Sequence, residues 1–190
     1  MNILNHFTKS VIGVINHKSS WDSSELMQGL KSDDGAIHCA DLSVLDFTDK
    51  EYTKITSVNC CFDKSLFAGT TIDGSFFDGC FFDNSIFINV KFVYTDFVLC
   101  NFVNANLQNC ELSRCLFNAS DFTGAILKNC DFSGCGFDSE LLHPIKGMFC
   151  NFTDAVLINC DFTHCDTSSF ILENTTIINC KGLNDSHIKY

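Results

Sequence analysis

The sequence of 190 residues predicts an all-β solenoid, a rod made by stacking one short repeated unit. Three observations predict this fold class. Large apolar residues recur every five positions from Phe62 to Ile177, and 22 of these 24 central positions hold Phe, Leu or Ile. Two residues before each centre, 21 of 24 positions hold Ala, Ser, Thr, Cys or Val. Two residues after each centre, 13 of 24 positions hold Gly or Asn.

The period of five indicates the shape of the unit. A helix repeats about every 3.6 residues and a strand about every 2, so neither element fits this pattern. Each unit must instead be a short extended piece followed by a corner. Gly and Asn adopt the backbone angles of a tight corner at low cost, which explains their place after each centre.

Individual units resemble those of the pentapeptide-repeat proteins. The clearest examples are residues 105–109 (ANLQN), 120–124 (SDFTG) and 155–159 (AVLIN), and the resemblance covers residues 60–179. It implies a right-handed quadrilateral β-helix in which four units make one coil and the central and small residues point inward. The 24 units would then form six coils. At about 4.8 Å between stacked strands, the rod would be about 29 Å long.

The chain outside these repeats is expected to cap the rod. The first 16 residues have apolar side chains at helical spacing, and Trp21–Leu30 is expected to form a second helix with Asp22 as its N-cap. Several pentapeptide-repeat proteins dimerise through an apolar C-terminal helix, which the polar end of this chain does not resemble, so we expect a monomer or weak dimer. The predicted division is a helical cap segment at 1–40, degenerate first repeats at 41–59, the β-helix at 60–179 and a tail at 180–190.

Eleven of the 13 cysteines fall at the small position, two residues before a centre. A free cysteine behaves as a small buried hydrophobe, so we interpret these thiols as core filler. Coils stacked about 4.8 Å apart would also allow disulfides, and a metal site is the third alternative. Reduced thiols favour a reducing compartment, so we expect a cytoplasmic protein, with secretion into a host cell as an effector left open.

The charge of the sequence limits its partners. Lys and Arg number 12 against 23 Asp and Glu, which gives a formal charge of -11. This acidity argues against direct nucleic-acid binding, which depends on neutralising phosphates. No run approaches the roughly 18 consecutive apolar residues of a membrane helix, so we expect no membrane insertion. A basic protein partner fits the charge better.

The charges are shared unevenly among the four faces of the predicted rod. If residues 20 apart share a face, the net charges of the four faces are -4, -3, -3 and +1. Three contiguous faces would then be acidic. The candidate carboxylates of an acidic partner-binding surface are Asp63, Asp83, Asp96, Asp121, Asp131, Asp138 and Asp161.

Two further features of the predicted surface are candidate contacts. The uncharged face is expected to present four aliphatic side chains, Leu66, Ile86, Ile88 and Ile126. Exposed apolar surface marks either an interface or the place where the N-terminal helices pack. Residues 140–149 break the repeat, because Glu140 takes a small position and Gly147 a central one. We expect a bulged loop there, either a tolerated irregularity or a contact loop formed by His143, Pro144 and Lys146.

Catalytic signals are weak in this sequence. It contains no nucleophile motif, phosphate-binding loop or zinc signature, so we expect no catalytic residues, no cofactor and no metal site. The best remaining constellation is His143 with His164, one coil apart on one face, with Asp161 nearby. Polar side chains on adjacent coils meet by chance along any such rod.

We therefore interpret the chain as a non-enzymatic interaction module, a rigid rod that presents its surface to another protein. The resemblance supplies an alternative. Some acidic pentapeptide-repeat rods protect DNA gyrase from quinolones or toxins by presenting carboxylates in place of DNA phosphates, so the partner would be gyrase or a topoisomerase. A bacterial effector with an N-terminal helical segment is the third possibility.

Overall fold

The computed structural model describes residues 2–5, 11–14, 35–137 and 149–183. From residue 35 onward the chain winds into a parallel β-solenoid of about seven turns, which confirms the predicted fold class. The described residues contain no helix, and thus none that is long and apolar enough to cross a membrane. The strands are β1 (Asn2–Asn5), β2 (Val11–Val14), β3 (Ile37–His38), β4 (Ala40–Asp41), β5 (Glu51–Thr53), β6 (Thr56–Val58), β7 (Leu66–Ala68), β8 (Thr71–Asp73), β9 (Phe76–Asp78), β10 (Ile86–Ile88), β11 (Lys91–Val93), β12 (Asp96–Val98), β13 (Asn106–Gln108), β14 (Ile126–Lys128), β15 (Val156–Ile158) and β16 (Thr176–Ile178).

The solenoid has four sides, which we name faces A to D in chain order. The chain passes from face D of one coil to face A of the next, so faces A and D are neighbours. Face A is held by single-residue parallel bridges such as Cys61 to Phe81. Face B is a six-stranded parallel sheet in the order β16-β15-β14-β13-β10-β7. Face C contains the sheet β11-β8-β5 and face D the sheet β12-β9-β6-β3. Beyond these strands, both faces continue toward the C-terminus as single-residue bridges, which reach Lys181 on face C and Gly136 on face D.

Residues on one face are stacked in register. Cys61 pairs with Phe81, a spacing of 20 residues, and this spacing recurs along the rod. It becomes 30 at one level of the rod, where Asp121 pairs with Asn151 on face A, Ile126 with Val156 on face B and Asp131 with Asp161 on face C. This coil therefore contains ten additional residues, and the part of it at 138–148 lies outside the described residues.

The ten additional residues correct the predicted coil. Ten is a multiple of the five-residue unit, so the units keep their phase, but every later unit moves by two faces. Asp161 stacks on Asp131 of face C and does not share face A with Asp121. The prediction that residues 20 apart share a face is correct up to Phe137 and wrong across the irregular segment.

The corners of the solenoid use left-handed backbone, as the pattern of Gly and Asn predicts. The angle φ is +63° at Gly69, +58° at Asn84 and +54° at Asn89. It is also positive at Tyr94 and Leu99, where a bulky side chain disfavours it. The stacking of coils therefore fixes the corner even where the residue does not favour it.

Stacked phenylalanine rings fill the core. Phe82 lies on Phe102 with ring centroids 5.0 Å apart, and Phe102 lies on Phe122 at 4.8 Å. The column extends to Phe62 at 5.0 Å and, past the additional residues, to Phe152 at 4.9 Å. All five rings are buried. Each such pair contributes about 0.5–1.5 kcal/mol beyond the burial of its area.

The small inward residues also connect successive coils. Ser85 Oγ donates a hydrogen bond to the carbonyl oxygen of Phe62 at 2.7 Å. Cys150 Sγ occupies the equivalent position and donates to the carbonyl oxygen of Phe117, also at 2.7 Å. The interpretation as core filler is therefore incomplete, because these thiols and hydroxyls satisfy buried carbonyl groups, each bond contributing about 0.5–1.5 kcal/mol.

The N-terminal segment differs from the predicted helical cap where it is described. Asn2–Asn5 and Val11–Val14 form antiparallel strands, so the helix predicted over the first residues is wrong at these positions. Their β-branched residues favour extended backbone, and β1 also pairs with Ala40–Asp41 at the first coil. The predicted helix Trp21–Leu30 and most of the predicted C-terminal tail lie outside the described residues.

Replacing Gly124 by Ala is expected to destabilise the solenoid more than replacing Gly134. Both glycines have a φ of +67°, so the strain of left-handed backbone is shared. A Cβ atom at Gly124 would collide with Asn104 Oδ1, whereas at Gly134 the nearest atom would be Arg114 Cγ at 3.8 Å. Because Asn104 is exposed and its side chain can turn aside at a small cost, we expect the free energy of unfolding from urea titration to be about 0.5 kcal/mol lower for Gly124→Ala than for Gly134→Ala. Equal losses would contradict this account of the corner.

The thiols are expected to react only after unfolding. Ten of the 13 cysteines are buried, and burial raises the pKa of Cys115 and Cys150 to about 12. Because the thiolate is the reactive form, at most three thiols should react rapidly with a disulfide reagent in the native protein at neutral pH, and all 13 in guanidinium. A denatured count below about ten would indicate disulfides, and rapid reaction of more than three native thiols would contradict their burial.

Candidate interaction surfaces

Face B carries exposed aliphatic side chains. It contains all four residues predicted to share the uncharged face, namely Leu66, Ile86, Ile88 and Ile126. Ile86 is 40% and Ile126 45% exposed, whereas the central residues beside them, Phe87 and Leu127, are fully buried. We call the outward side chains of the six strands of face B the face B strip.

Three aliphatic members of the face B strip do not follow from a strict 20-residue spacing. Val156, Ile158 and Ile178 come after the additional residues and extend the strip along the rod. A sequence signal for this shift exists in the corner asparagines. They occur at Asn89, Asn109, Asn129, Asn159 and Asn179, with spacings of 20, 20, 30 and 20.

These five asparagines form a ladder of amide hydrogen bonds along the edge of the strip next to face C. Asn109 Nδ2 donates to Asn89 Oδ1 at 3.1 Å, and Asn129 Nδ2 donates to Asn109 Oδ1 at 2.9 Å. The same bond joins Asn159 to Asn129 at 3.0 Å and Asn179 to Asn159 at 2.9 Å. Each internal amide thus has one donor and one acceptor occupied, which leaves this edge with fewer groups to bind a partner.

Face A brings predicted carboxylates into one stack. Asp63 Oδ1 accepts the backbone N–H of Asp83 at 3.1 Å, and Asp83 Oδ1 accepts that of Val103 at 3.2 Å. Burial and the charge of Asp63 raise the pKa of Asp83, despite the opposing hydrogen bond from Val103. Two like charges on adjacent coils therefore repel each other across face A.

Other predicted carboxylates accept hydrogen bonds within their own turns. Asp121, Asp131 and Asp161 each accept the backbone N–H two residues further on, at 2.9, 2.8 and 2.9 Å. The hydrogen bonds from Thr163 lower the pKa of Asp161. These aspartates follow the local pattern of Asp, apolar residue and then Ser or Thr, so their first role is to fix the turn.

Face C is not the acidic face that the sequence predicts. Lys91 Nζ lies 3.1 Å from Glu111 Oε2, and Lys181 Nζ lies 3.8 Å from Asp161 Oδ2. Both pairs join adjacent coils. Because Asp161 and Lys181 reach this face through the additional residues, acids and bases nearly balance on it.

The acidic surface of the rod therefore covers two neighbouring faces instead of three. Face A has Lys64 as its one base among the described residues, and face D has none. Burial raises the pKa of Asp96 on face D. The described acids of the two faces are Asp41, Asp63, Asp83, Asp121, Asp154 and Glu173 on face A and Asp78, Asp96 and Asp166 on face D.

The remaining predicted contact residues cannot be placed on these faces. Asp138, His143, Pro144 and Lys146 lie outside the described residues, so the predicted contact loop and the pairing of His143 stay predictions. His164 is at a corner of face C with φ of +64°.

The described part of the surface has two shallow depressions and no cluster of metal-ligating side chains. Among residues 35–137 and 149–183, no three His, Cys, Asp or Glu side chains are arranged to hold a metal ion. Two shallow depressions of about 370 and 300 Å³ lie near the lower end of ligand-site volumes. Their linings are polar and charged, with Asp131 and Asp161 in the first and Lys91 and Arg114 in the second.

Family comparison agrees with this architecture. The model of the family described as pentapeptide repeats matches residues 65–102 and 100–137, in eight copies. Residues 65–137 are pentapeptide repeats. The matched residues span the coils in which Phe67 and Phe87 are stacked in the core, with ring centroids 4.8 Å apart. No curated protein sequence is significantly similar to the chain.

The solved structures to which the chain is similar match it at low sequence identity and with TM-scores below 0.5. QnrB1, a plasmid-mediated fluoroquinolone resistance protein, is 13% identical with a TM-score of 0.37, over 72% of this chain and 89% of that one. HetL from the cyanobacterium Nostoc, a pentapeptide repeat protein involved in heterocyst differentiation regulation, is 10% identical with a TM-score of 0.29, over 83% and 90%. A pentapeptide repeat protein of the Arabidopsis thaliana thylakoid lumen is 12% identical with a TM-score of 0.28, over 75% and 70%.

Replacing Asp83 by Asn, within these pentapeptide repeats, is expected to stabilise the protein at neutral pH. The raised pKa of Asp83 means that the folded state binds its proton more tightly than the unfolded state does, so this carboxyl lowers stability as pH rises above its unfolded pKa. Asn can still accept the N–H of Val103. After allowance for solvent screening, we expect a gain of about 0.5 kcal/mol in urea unfolding at about pH 7 and none at about pH 3.

A double-mutant cycle provides the control for this prediction. In an Asp63→Asn background the gain from Asp83→Asn should shrink, because the repelling neighbour has already been removed. A gain that does not change with pH would contradict the electrostatic cause.

Proposed function

We propose that the chain is a non-enzymatic interaction module, a rigid rod that binds another protein through its surface. The face B strip is the observation that carries this proposal. Ile86, Ile126 and Ile178 are 40%, 45% and 51% exposed, yet they belong to one continuous sheet. Contiguous apolar surface of this kind usually marks an interaction site in a soluble protein.

The rod supports its surface rigidly. Each outward residue of the strip flanks a central residue packed into the core, as Ile86 and Ile88 flank the fully buried Phe87. Neighbouring strands hold each other in register through parallel pairing. A surface that is already ordered loses little conformational entropy on binding, which favours its use as an interaction site.

The acidic faces support a second candidate function, mimicry of DNA toward gyrase or a topoisomerase. From Cys60 onward, faces A and D carry eight described acids and one base over six coils. This is about 1.2 net charges per coil of about 4.8 Å. One side of B-DNA presents about 1.4 phosphates in the same length. The use of Asp121 in its own turn and the placing of Asp161 on face C favour the interaction module.

We also propose that the protein works in a reducing compartment, such as the cytoplasm. Ten buried thiols, several of which donate to carbonyl oxygens of the preceding coil, support this proposal. Action as an effector inside a host cell is compatible with it, because the cytosol of a host is also reducing.

Site-specific photo-crosslinking in cells that express the protein tests these functions. The photoreactive residue p-benzoylphenylalanine would replace Ile86 on face B, Asp63 on face A or, as an exposed control, Tyr94 at a corner of face C. The module predicts a protein partner crosslinked from Ile86 and not from Tyr94. Gyrase or a topoisomerase crosslinked from Asp63 would support mimicry instead. Absence of any partner from both faces would contradict both functions.

A further inference from the structure

The dimensions of the face B strip limit what can bind it. Six strands at about 4.8 Å spacing give a length of about 29 Å, and three residues per strand give a width of about 10 Å. The strip thus covers about 300 Å² in projection, well below the roughly 800 Å² that each partner buries in a stable interface of standard size. A partner that contacts the strip alone would therefore form a small interface, and one whose own footprint is equally long and narrow would use all of it. An α-helix of about 20 residues is about 30 Å long and about 10 Å across, which matches the strip.

The chemistry of the strip suits the apolar side of such a helix. Its six strands contain one charged side chain, Lys128. The polar pair in the middle of the strip is partly satisfied, because Gln108 Nε2 donates to Asn106 Oδ1 at 3.1 Å. A helix covering this pair leaves fewer unpaired polar groups. The aliphatic side chains on either side are Leu66, Ile86 and Ile88 toward the N-terminus and Ile126, Val156, Ile158 and Ile178 toward the C-terminus.

The two long edges of the strip differ in charge. Asp63 and Asp83 lie three residues before Leu66 and Ile86, across the corner on face A, where Lys64 is the one described base. The opposite edge carries the self-paired asparagine ladder and Lys128. Beyond the ladder, the acids Glu111, Asp131 and Asp161 of face C are offset by Lys91 and Lys181 on the same face. A partner that lies along the strip therefore meets net negative charge on the side next to face A, which sets its rotation about its own axis.

We propose that the face B strip binds an amphipathic α-helix of another protein, lying along the rod, with an apolar stripe on the sheet and basic residues on the side next to face A. This inference rests on the proposed interaction module and names the chemistry of its partner. Helices of this type bind apolar grooves through residues spaced three and four apart, without the large area of a rigid dimer.

Binding of two synthetic helical peptides of about 20 residues tests the proposal. Both peptides have the same leucine stripe. One carries lysines along one flank and the other carries glutamates at the same positions. Fluorescence anisotropy with the full chain should show at least about tenfold tighter binding of the lysine peptide, and added salt should reduce this preference.

Matched variants of the rod locate the binding. The double substitution Ile86→Lys and Ile126→Lys should weaken binding of the lysine peptide at least about tenfold, by burying charge under the stripe. Leu99→Lys, at a residue 41% exposed at a corner of face D, is the control and should change affinity less than about twofold. The double substitution Asp63→Asn and Asp83→Asn should remove the preference for lysine over glutamate.

Several results would overturn the helix proposal. Equal binding to the Ile86 and Ile126 double variant, or equal binding of the two peptides, would do so. A concentration-dependent dimer in light scattering that disappears in the double variant would assign the strip to a second copy of the chain. A larger fall in melting temperature for the double variant than for Leu99→Lys would assign it to a segment of the same chain. A partner crosslinked from Ile86 without any peptide binding would overturn the helix and leave the interaction module standing.

Discussion

In-register stacking of coils is the constraint on which the rest of this structure depends. Backbone hydrogen bonds such as Phe82 N–H to the carbonyl of Asn101, at 2.7 Å, place each residue above its equivalent in the next coil. Each side chain thus has the corresponding residue of the next coil as a fixed neighbour. Rings gain from this arrangement by stacking, thiols and hydroxyls by reaching the previous coil, and asparagines by pairing their amides. The repeated residue types of the sequence are those that pack well against themselves.

Carboxylates are the exception, because identical charges stacked about 4.8 Å apart repel one another. The chain limits this repulsion differently on two faces. After Asp63 and Asp83, the same column of face A continues with the uncharged Val103 and Thr123. On face C, the stacked acids Glu111, Asp131 and Asp161 lie between Lys91 and Lys181, which pair with the first and the last of them. Net acidity is therefore spread over several columns, and the face B strip, with one charged side chain, stands out against that distribution.

The sequence allowed prediction of the solenoid, its inward residues and the common face of Ile86 and Ile126, because these depend on spacing within a five-residue unit. The face on which a later residue lies depends on the number of residues in each whole coil. The ten additional residues change this number but keep the five-residue phase. Asp161 was therefore placed on the wrong face. The shift between faces cannot be detected from the five-residue phase, but it can be detected from the longer interval between Asn129 and Asn159. The donor role of the small residues was not predictable from size alone, since Ala and Ser occupy the same position.

The additional residues also determine how long the apolar surface is. With a strict 20-residue coil, the positions following Ile126 and Lys128 on face B would be Lys146 and Met148, and then Asp166 and Ser168. Two charges would interrupt the strip. The longer coil instead brings Val156 and Ile158, and then Thr176 and Ile178, onto face B. The same shift moves Asp161 next to Lys181 on face C, where the two charges offset each other. One local irregularity in the repeat thus extends the largely uncharged strip and leaves most of the net acidity on faces A and D.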